Sequence, residues 1–252
     1  MTRLPLSIFI ITKNEEARLP RTLAAIEGWV DDLVIVDSGS TDRTLEIARD
    51  AGARVLHRDW TGFGEQKRHG EEACRNRWVL NLDADDLVTP ELREEISALF
   101  AEGAPEPASY KTRQYLVYPG DEAPRGQVLD YNVIRLYHLD AARFSDHPLF
   151  DRVHAEPGTN VHQLNAPMWH FSILTYGDFA EKVVRSAAFQ AEAAKRKPRW
   201  QLLIRLWLEF PLQVLKIWLT RGHWRAGWRG FAVAVIAAFG RWLRVLRLLE
   251  RG

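Results

Sequence analysis

The sequence predicts an α/β protein: a mixed, mainly parallel sheet with helices on both faces, followed by C-terminal amphipathic helices. Three observations carry this. Short apolar, β-branched runs alternate with helical patterns over residues 1–100, the arrangement that feeds right-handed βαβ crossovers. Each run stops at a polar or acidic turn. From Lys195 onward the composition becomes basic and tryptophan-rich, which divides the chain into 1–194 and 195–252.

Leu6 to Ile11 is apolar without alternation, as a strand covered on both faces must be. Glu15 to Ile26 carries Leu19, Leu23 and Ile26 at helical spacing and predicts an amphipathic helix. Leu33 to Val36 predicts a second buried strand, stopped by Asp37. Ser38 to Asp42 then turns into a helix from about Thr41 to Ala51, with Ser40, Thr41 and Asp42 as N-cap types. Arg54 to His57 is a short third strand, and a loop holding Gly62 and Gly64 leads to a helix near 65–74. Trp78 to Leu82 is the fourth strand, and Thr89-Pro90-Glu91 opens a helix with proline at its first position. Tyr110–Tyr118 and Val128–His138 read as further strands, 144–170 as irregular and His-rich, and Gly177–Ala194 as a helix. Arg199 to Thr220 is helical with apolar residues in excess and Pro211 inside, where a kink or break is expected.

Composition removes several function classes. A single cysteine, Cys74, excludes an internal disulfide framework and a cysteine-based zinc cluster. The apolar start ends at Lys13-Asn14-Glu15-Glu16 without a small-residue cleavage site, so it reads as a strand and not a leader. No run approaches the roughly 20 apolar residues that span a bilayer. The first strand leads into Lys13-Asn14-Glu15-Glu16 and not a G-x-G-x-x-G turn, which argues against a nicotinamide dehydrogenase. The net charge of +1 hides an asymmetry: residues 195–252 hold 13 Lys/Arg against two acids, with six of the ten tryptophans.

Asn81-Leu82-Asp83-Ala84-Asp85-Asp86 sets three carboxylates directly after a buried strand. Their repulsion and desolvation are costly unless something neutralises them. A hard divalent cation, Mg²⁺ or Mn²⁺, does so and typically shares substrate phosphates; the plainer reading is a solvated acidic turn. In sheets of this type ligands bind beyond the carboxyl ends of the strands. Asn14–Glu16, Asp37 and Asp83–Asp86 each follow a strand end and should converge on one rim.

Ser7 to Glu16, Val34 to Asp42 and Asp83-Ala84-Asp85-Asp86, in this order, resemble the inverting family 2 glycosyltransferases of GT-A (Rossmann-like) fold. Asp59 to Lys67 resembles lipopolysaccharide core glucosyltransferases in particular, as do Phe150–His154 and Trp169–Ser172. The resemblance implies that Asp37 accepts from the nucleotide base, that Glu16 lies near base or ribose, and that Asp83 lies near ribose and metal. It implies a donor-binding set of Thr12, Asn14, Glu16, Asp37, Ser38, Gln66, Lys67 and Asp83, and a metal held by Asp85 of the D-x-D with Asp83. His154 or His170 could supply a late metal ligand or a phosphate hydrogen bond, with His154 placed in the metal set. This chain has Gln66-Lys67-Arg68 where relatives usually have Gln-Arg-Asn, so Lys67 or Arg68 could touch phosphate. Inverting transfer needs a base for the acceptor proton; the candidates are Asp151, preferred, with Glu156 and Asp146, and after them His154.

Cationic residues beside Trp and Leu in 195–252 suit an anionic membrane interface; the alternative is a helical cap, and nucleic acid fits poorly because the segment is too apolar. The expectation is a metal-dependent hexosyltransferase of lipopolysaccharide biosynthesis, using a nucleotide sugar and a lipid-linked saccharide acceptor. It would be peripheral on the cytoplasmic face of the inner membrane. Transfer to a polyprenyl phosphate, or a non-catalytic nucleotide-sugar binding module, are the rivals.

Overall fold

The computed structural model describes residues 3–145, 152–192, 194 and 198–251. The chain falls into two compact units, one formed by 1–115 with 130–170 and the other by 116–129 with 171–252.

In the first unit β1 (Leu4–Thr12), β2 (Val30–Asp37), β3 (Arg54–His57) and β4 (Trp78–Asp83) lie in the order β3-β2-β1-β4, all parallel. The sheet continues through β7 (Leu129–His138), antiparallel to β4, and β6 (Ser109–Leu116). It ends on β11 (Met168–His170) and β5 (Asp86–Val88), with β10 (Val161–Gln163) paired to β6. β8 (Ala142–Phe144) and β9 (Val153–Ala155) form a separate antiparallel pair. The stretch expected to be irregular thus contains three short strands.

Side chains alternate across the sheet as a two-residue period requires. Leu6, Ile8, Ile10 and Ile35 face α1 (Leu19–Ile26) and α4 (Pro90–Leu99), burying Leu23, Ile26, Leu92 and Ile96 with them. Phe9, Val34 and Val36 point the other way, onto a layer shared with Tyr137, Phe144 and Cys74, beyond the end of α3 (Phe63–Glu72). α4 starts as its sequence predicts: Thr89 accepts from the Leu92 N–H and Pro90 follows.

Two helices are shorter at their starts than expected. α1 begins at Leu19, not Glu15, and α2 (Thr44–Asp50) begins three residues late. The reason is tertiary. The backbone N–H groups of Asn14, Glu15 and Glu16 donate to Ser40 Oγ, Thr44 Oγ1 and Asp42 Oδ2 instead of entering a helix.

The second unit contains α5 (Tyr176–Glu192), α6 (Arg199–Thr220), a 3-10 turn (His223–Ala226) and α7 (Gly227–Glu250). Its helical part therefore starts upstream of residue 195, where composition changes. Pro211 sits within an α6 that continues on both sides of it. α7 approaches its neighbours closely. A Cβ at Gly230 would collide with the His223 carbonyl, and one at Gly240 with the Val183 side chain. Tyr118 and His223, both buried, hydrogen-bond at 2.7 Å.

Asp32 ties the amino-terminal halves of three strands. It is 3% exposed and accepts from Ser7 Oγ (2.7 Å), the Arg75 N–H (2.9 Å) and the Arg54 guanidinium (2.9 Å). Burial alone would raise its pKa, but these donors outweigh it and hold the carboxyl below its ordinary 3.8. Its contribution to stability is therefore complete above about pH 4 and fades as acid protonates it. Asp32→Asn should cost about 2–3 kcal/mol at pH 7, with the gap to wild type narrowing below pH 4. Urea denaturation at both pH values checks this, and equal midpoints at pH 7 would remove the role.

Candidate active site

Register places the site. Thr12 pairs with Asp37 across β1–β2, and Ile11 with Asp83 across β1–β4, so Thr12, Asp37 and Asp83 end three adjacent strands at one rim. Arg18, in the loop after β1, reaches across to Asp85 at 3.4 Å. The three sequence stretches therefore converge.

On the β2 side Asp37 is buried and wrapped by its own turn. Oδ2 accepts from the Gly39 and Ser40 N–H groups at 2.8 Å each, and Oδ1 from Ser40 Oγ at 2.5 Å and Thr12 Oγ1 at 3.1 Å. Asn14 adopts a left-handed φ of 56°, and its Oδ1 accepts from the Thr41 N–H. Glu16 accepts from the Arg43 N–H. The loop after β1 and the loop after β2 are thus laced together. Gln66 on α3 donates to Ser38 Oγ at 2.7 Å and to the Arg58 carbonyl at 2.8 Å. Its Oε1 is buried and has no partner among the described residues.

On the β4 side Asp83 lies between two cations. Lys67 Nζ is 2.7 Å from its Oδ1, and Arg135 Nη2 is 2.6 Å from its Oδ2. Both cations also donate to Asn81 Oδ1, at 3.2 and 2.7 Å. Burial would raise the Asp83 pKa, but Arg135 and Lys67 outweigh it and drive it far below the usual carboxylate range. Asp86 is fully buried and accepts from the Asp83 N–H and from Gln114 Nε2 at 2.6 Å. Its burial prevails over the attraction of Arg135, and its pKa rises to about 6. Asp85 keeps weaker partners, Arg18 and His170 Nε2, the latter at 3.5 Å from Oδ1. Burial works against both charges of this pair. It is outweighed for Asp85 by its contacts with His170, and for His170 by its bonds to Asp130 and Asp85, which push the imidazole up to about 10.

Asp85, Asp86 and His170 can each point one ligand atom into a group within 4.8 Å. Two hard carboxylates and an imidazole suit a divalent cation of the Mg²⁺–Mn²⁺–Zn²⁺ range. The expected histidine does not join them: His154 is exposed on β9, opposite Arg143. His170 does, because β11 runs antiparallel to β5 and sets it beside Asp86. Asp83 is also outside the group, since both its oxygens already hold cations. Arg68 donates to the Phe144 carbonyl at 2.6 Å and to Glu72, not toward the acids. Glu156 is exposed in the loop after β9. Asp146 and Asp151, the other candidate bases, lie outside the described residues. A cavity of about 510 Å³ lined by Leu23, Ile26, Asp31 and Asp50 lies near the opposite ends of the strands and is separate from this rim.

The glycosyl transferase family 2 model matches residues 7–154. The chain belongs to glycosyl transferase family 2. This glycosyltransferase is 33% identical over 258 residues to a Rickettsia typhi protein described as an uncharacterized glycosyltransferase, covering 97% of this chain and 87% of that one. It is 30% identical over 262 residues to the lipopolysaccharide core biosynthesis glycosyltransferase LpsC of Rhizobium meliloti, covering 99% and 93%. The crystal structure of S. aureus TarS superposes with a TM-score of 0.50 at 16% identity. That match covers 77% of this chain and 41% of TarS, and it shares the GT-A fold alone.

Sequence reasoning missed Gln114, Asp130 and Arg135 in this glycosyltransferase's site. Arg135 had a signal: a cation between Ile134 and Leu136 in an apolar strand needs a buried partner. Lys67→Met removes a buried cation and leaves the half-buried Asp83 with one counter-cation of two. It should lower unfolding free energy by about 2–4 kcal/mol, read by chemical denaturation at pH 7.5; an unchanged midpoint would contradict the clamp.

Proposed function

We propose that this family 2 glycosyltransferase moves a sugar, with inversion, from a nucleotide-activated donor to a lipid-linked saccharide of the lipopolysaccharide core. The observation that carries the reading is the gathering of Asp37, Asp83 and Asp85 at the carboxyl ends of adjacent parallel strands. Thr12, Asn14, Glu16, Asp37, Ser38 and Gln66 are assigned to the nucleoside, with the orphaned Gln66 Oε1 free to accept from it. Asp83 is assigned to the ribose, and Lys67, turned inward onto it, to holding that carboxylate in place. Asp85 and His170 are assigned to Mg²⁺ or Mn²⁺; when bound, the cation neutralises charge that builds on the diphosphate leaving group. Asp151 is assigned as the base, from its place in Phe150-Asp151-Arg152-Val153-His154.

Similarity to LpsC supports the acceptor class. Asp85→Asn should lower kcat/KM by about 10²–10³-fold while the thermal midpoint stays near wild type. The assay is transfer from nucleotide sugars to extracted core acceptor, with the product anomer read by NMR. Retention of configuration, or full activity of the variant in excess chelator, would overturn the proposal. A polyprenyl phosphate product would reassign the acceptor.

Residues 1–194 are assigned to catalysis, and 195–252 to holding the protein on the cytoplasmic face of the inner membrane. No helix among the described residues is long and apolar enough to cross a membrane. α6 instead exposes one apolar stripe: Trp200, Leu203, Ile204, Trp207, Leu212 and Leu215 are all 45% or more exposed. The acid of α6, Glu209, is paired with Arg205 at 2.9 Å, so cations flank the stripe unopposed by exposed acids of that helix. This chemistry fits headgroups of anionic lipid. Wild type should float with phosphatidylglycerol vesicles, and Trp207→Glu with Leu212→Glu should shift most of the protein to the soluble fraction. Equal flotation of both proteins would rule the stripe out.

A further inference from the structure

Asp130 lies outside every motif, yet it adds a carboxylate beside the group of Asp83, Asp85 and Asp86. Another negative charge there is unfavourable unless its position matters. It comes from the start of β7, and its Oδ2 is 2.8 Å from His170 Nδ1. The opposite ring nitrogen, Nε2, faces Asp85 Oδ1 at 3.5 Å. Both side chains are largely enclosed, with His170 10% and Asp130 24% exposed. The Tyr131 ring stands edge-on to the imidazole with centroids 5.7 Å apart. The backbone of His170 is fixed separately, by pairing with Asp86 across β11–β5.

We propose that Asp130 is a positioning residue for the cation site: it holds the proton on His170 Nδ1 and so dedicates Nε2 to the cation shared with Asp85. The inference rests on the metal reading of the site given above. Once the incoming cation has displaced one proton, an imidazole offers a lone pair from one nitrogen only, and the hydrogen bond at the other decides which. A carboxylate acceptor also makes the ring a stronger ligand and fixes its plane. Asp130 has no ligand atom in the group formed by Asp85, Asp86 and His170, so its effect passes through His170.

The test uses the full chain and Mn²⁺ alone, with free ion counted by electron paramagnetic resonance. Asp130→Asn keeps the shape and weakens the acceptor; it should raise the Mn²⁺ dissociation constant about 10–100-fold with little change in thermal midpoint. Wild-type affinity in that variant would overturn the proposal. A second readout needs no variant at Asp130. In ¹⁵N-histidine-labelled wild type with Mg²⁺, assigned by comparison with His170→Ala, His170 should keep its proton on Nδ1 and lose it from Nε2. The reverse pattern would overturn the proposal. Asp85→Asn and His170→Ala serve as controls: if both bind Mn²⁺ like wild type, the metal reading itself fails. If they lose Mn²⁺ and Asp130→Asn does not, only the role of Asp130 fails.

Discussion

Acidic side chains packed at one end of a sheet repel each other, and the rim is built around how that repulsion is relieved. Asp83 has permanent relief, from a lysine on α3 and an arginine on β7 that are themselves almost fully buried. Asp86 accepts from the Asp83 N–H and from Gln114, with the Arg135 guanidinium 3.5 Å away. Asp85 alone is left with partners that can yield. Arg18 already forms a two-pronged pair with Glu15, at 2.6 and 2.7 Å, and His170 can exchange a proton for another cation. Fixed and exchangeable compensation are thus separated between carboxylates two residues apart. With the cation proposed above, that separation would let the site stay folded when empty and still attract a divalent ion.

The parallel half of the sheet was legible in the sequence because each strand is a short apolar run closed by a turn. β3 matches its expected bounds, and the start of α4 matches through Thr89 and Pro90. The starts of α1 and α2 were not legible. Residues 14–16 and 40–44 have adequate helix signals, but they satisfy one another across more than 25 positions of sequence. Local pattern cannot report a hydrogen bond of that separation.

The site divides in the same way. Asp37, Asp83 and Asp85 declared themselves by following strands. Arg135 and Asp130 come from β7, antiparallel to β4, and Gln114 from β6, strands whose register is invisible before the sheet is assembled. The choice between His154 and His170 turned on one such pairing, β11 with β5. Lys67 was visible as a motif residue, but its direction was not: it turns inward to Asp83. In α6, composition pointed to amphipathy, and the structure is more specific. Leu202, Val214 and Ile217 pack inward while Leu203, Leu212 and Leu215 face out, so apolar side chains occupy both sides and the Arg205–Glu209 pair lies between.

The lacing of the loops after β1 and β2 has a consequence for how this protein can diverge. Each loop supplies side-chain acceptors for the other's backbone, Ser40, Asp42 and Thr44 in one direction and Asn14 and Glu16 in the return direction. A residue inserted in one loop would strand donors in both at once. Substitutions at these five positions should therefore be inherited jointly, and chimaeras between relatives will tolerate a crossover before residue 13 or after residue 44 better than one between the two loops.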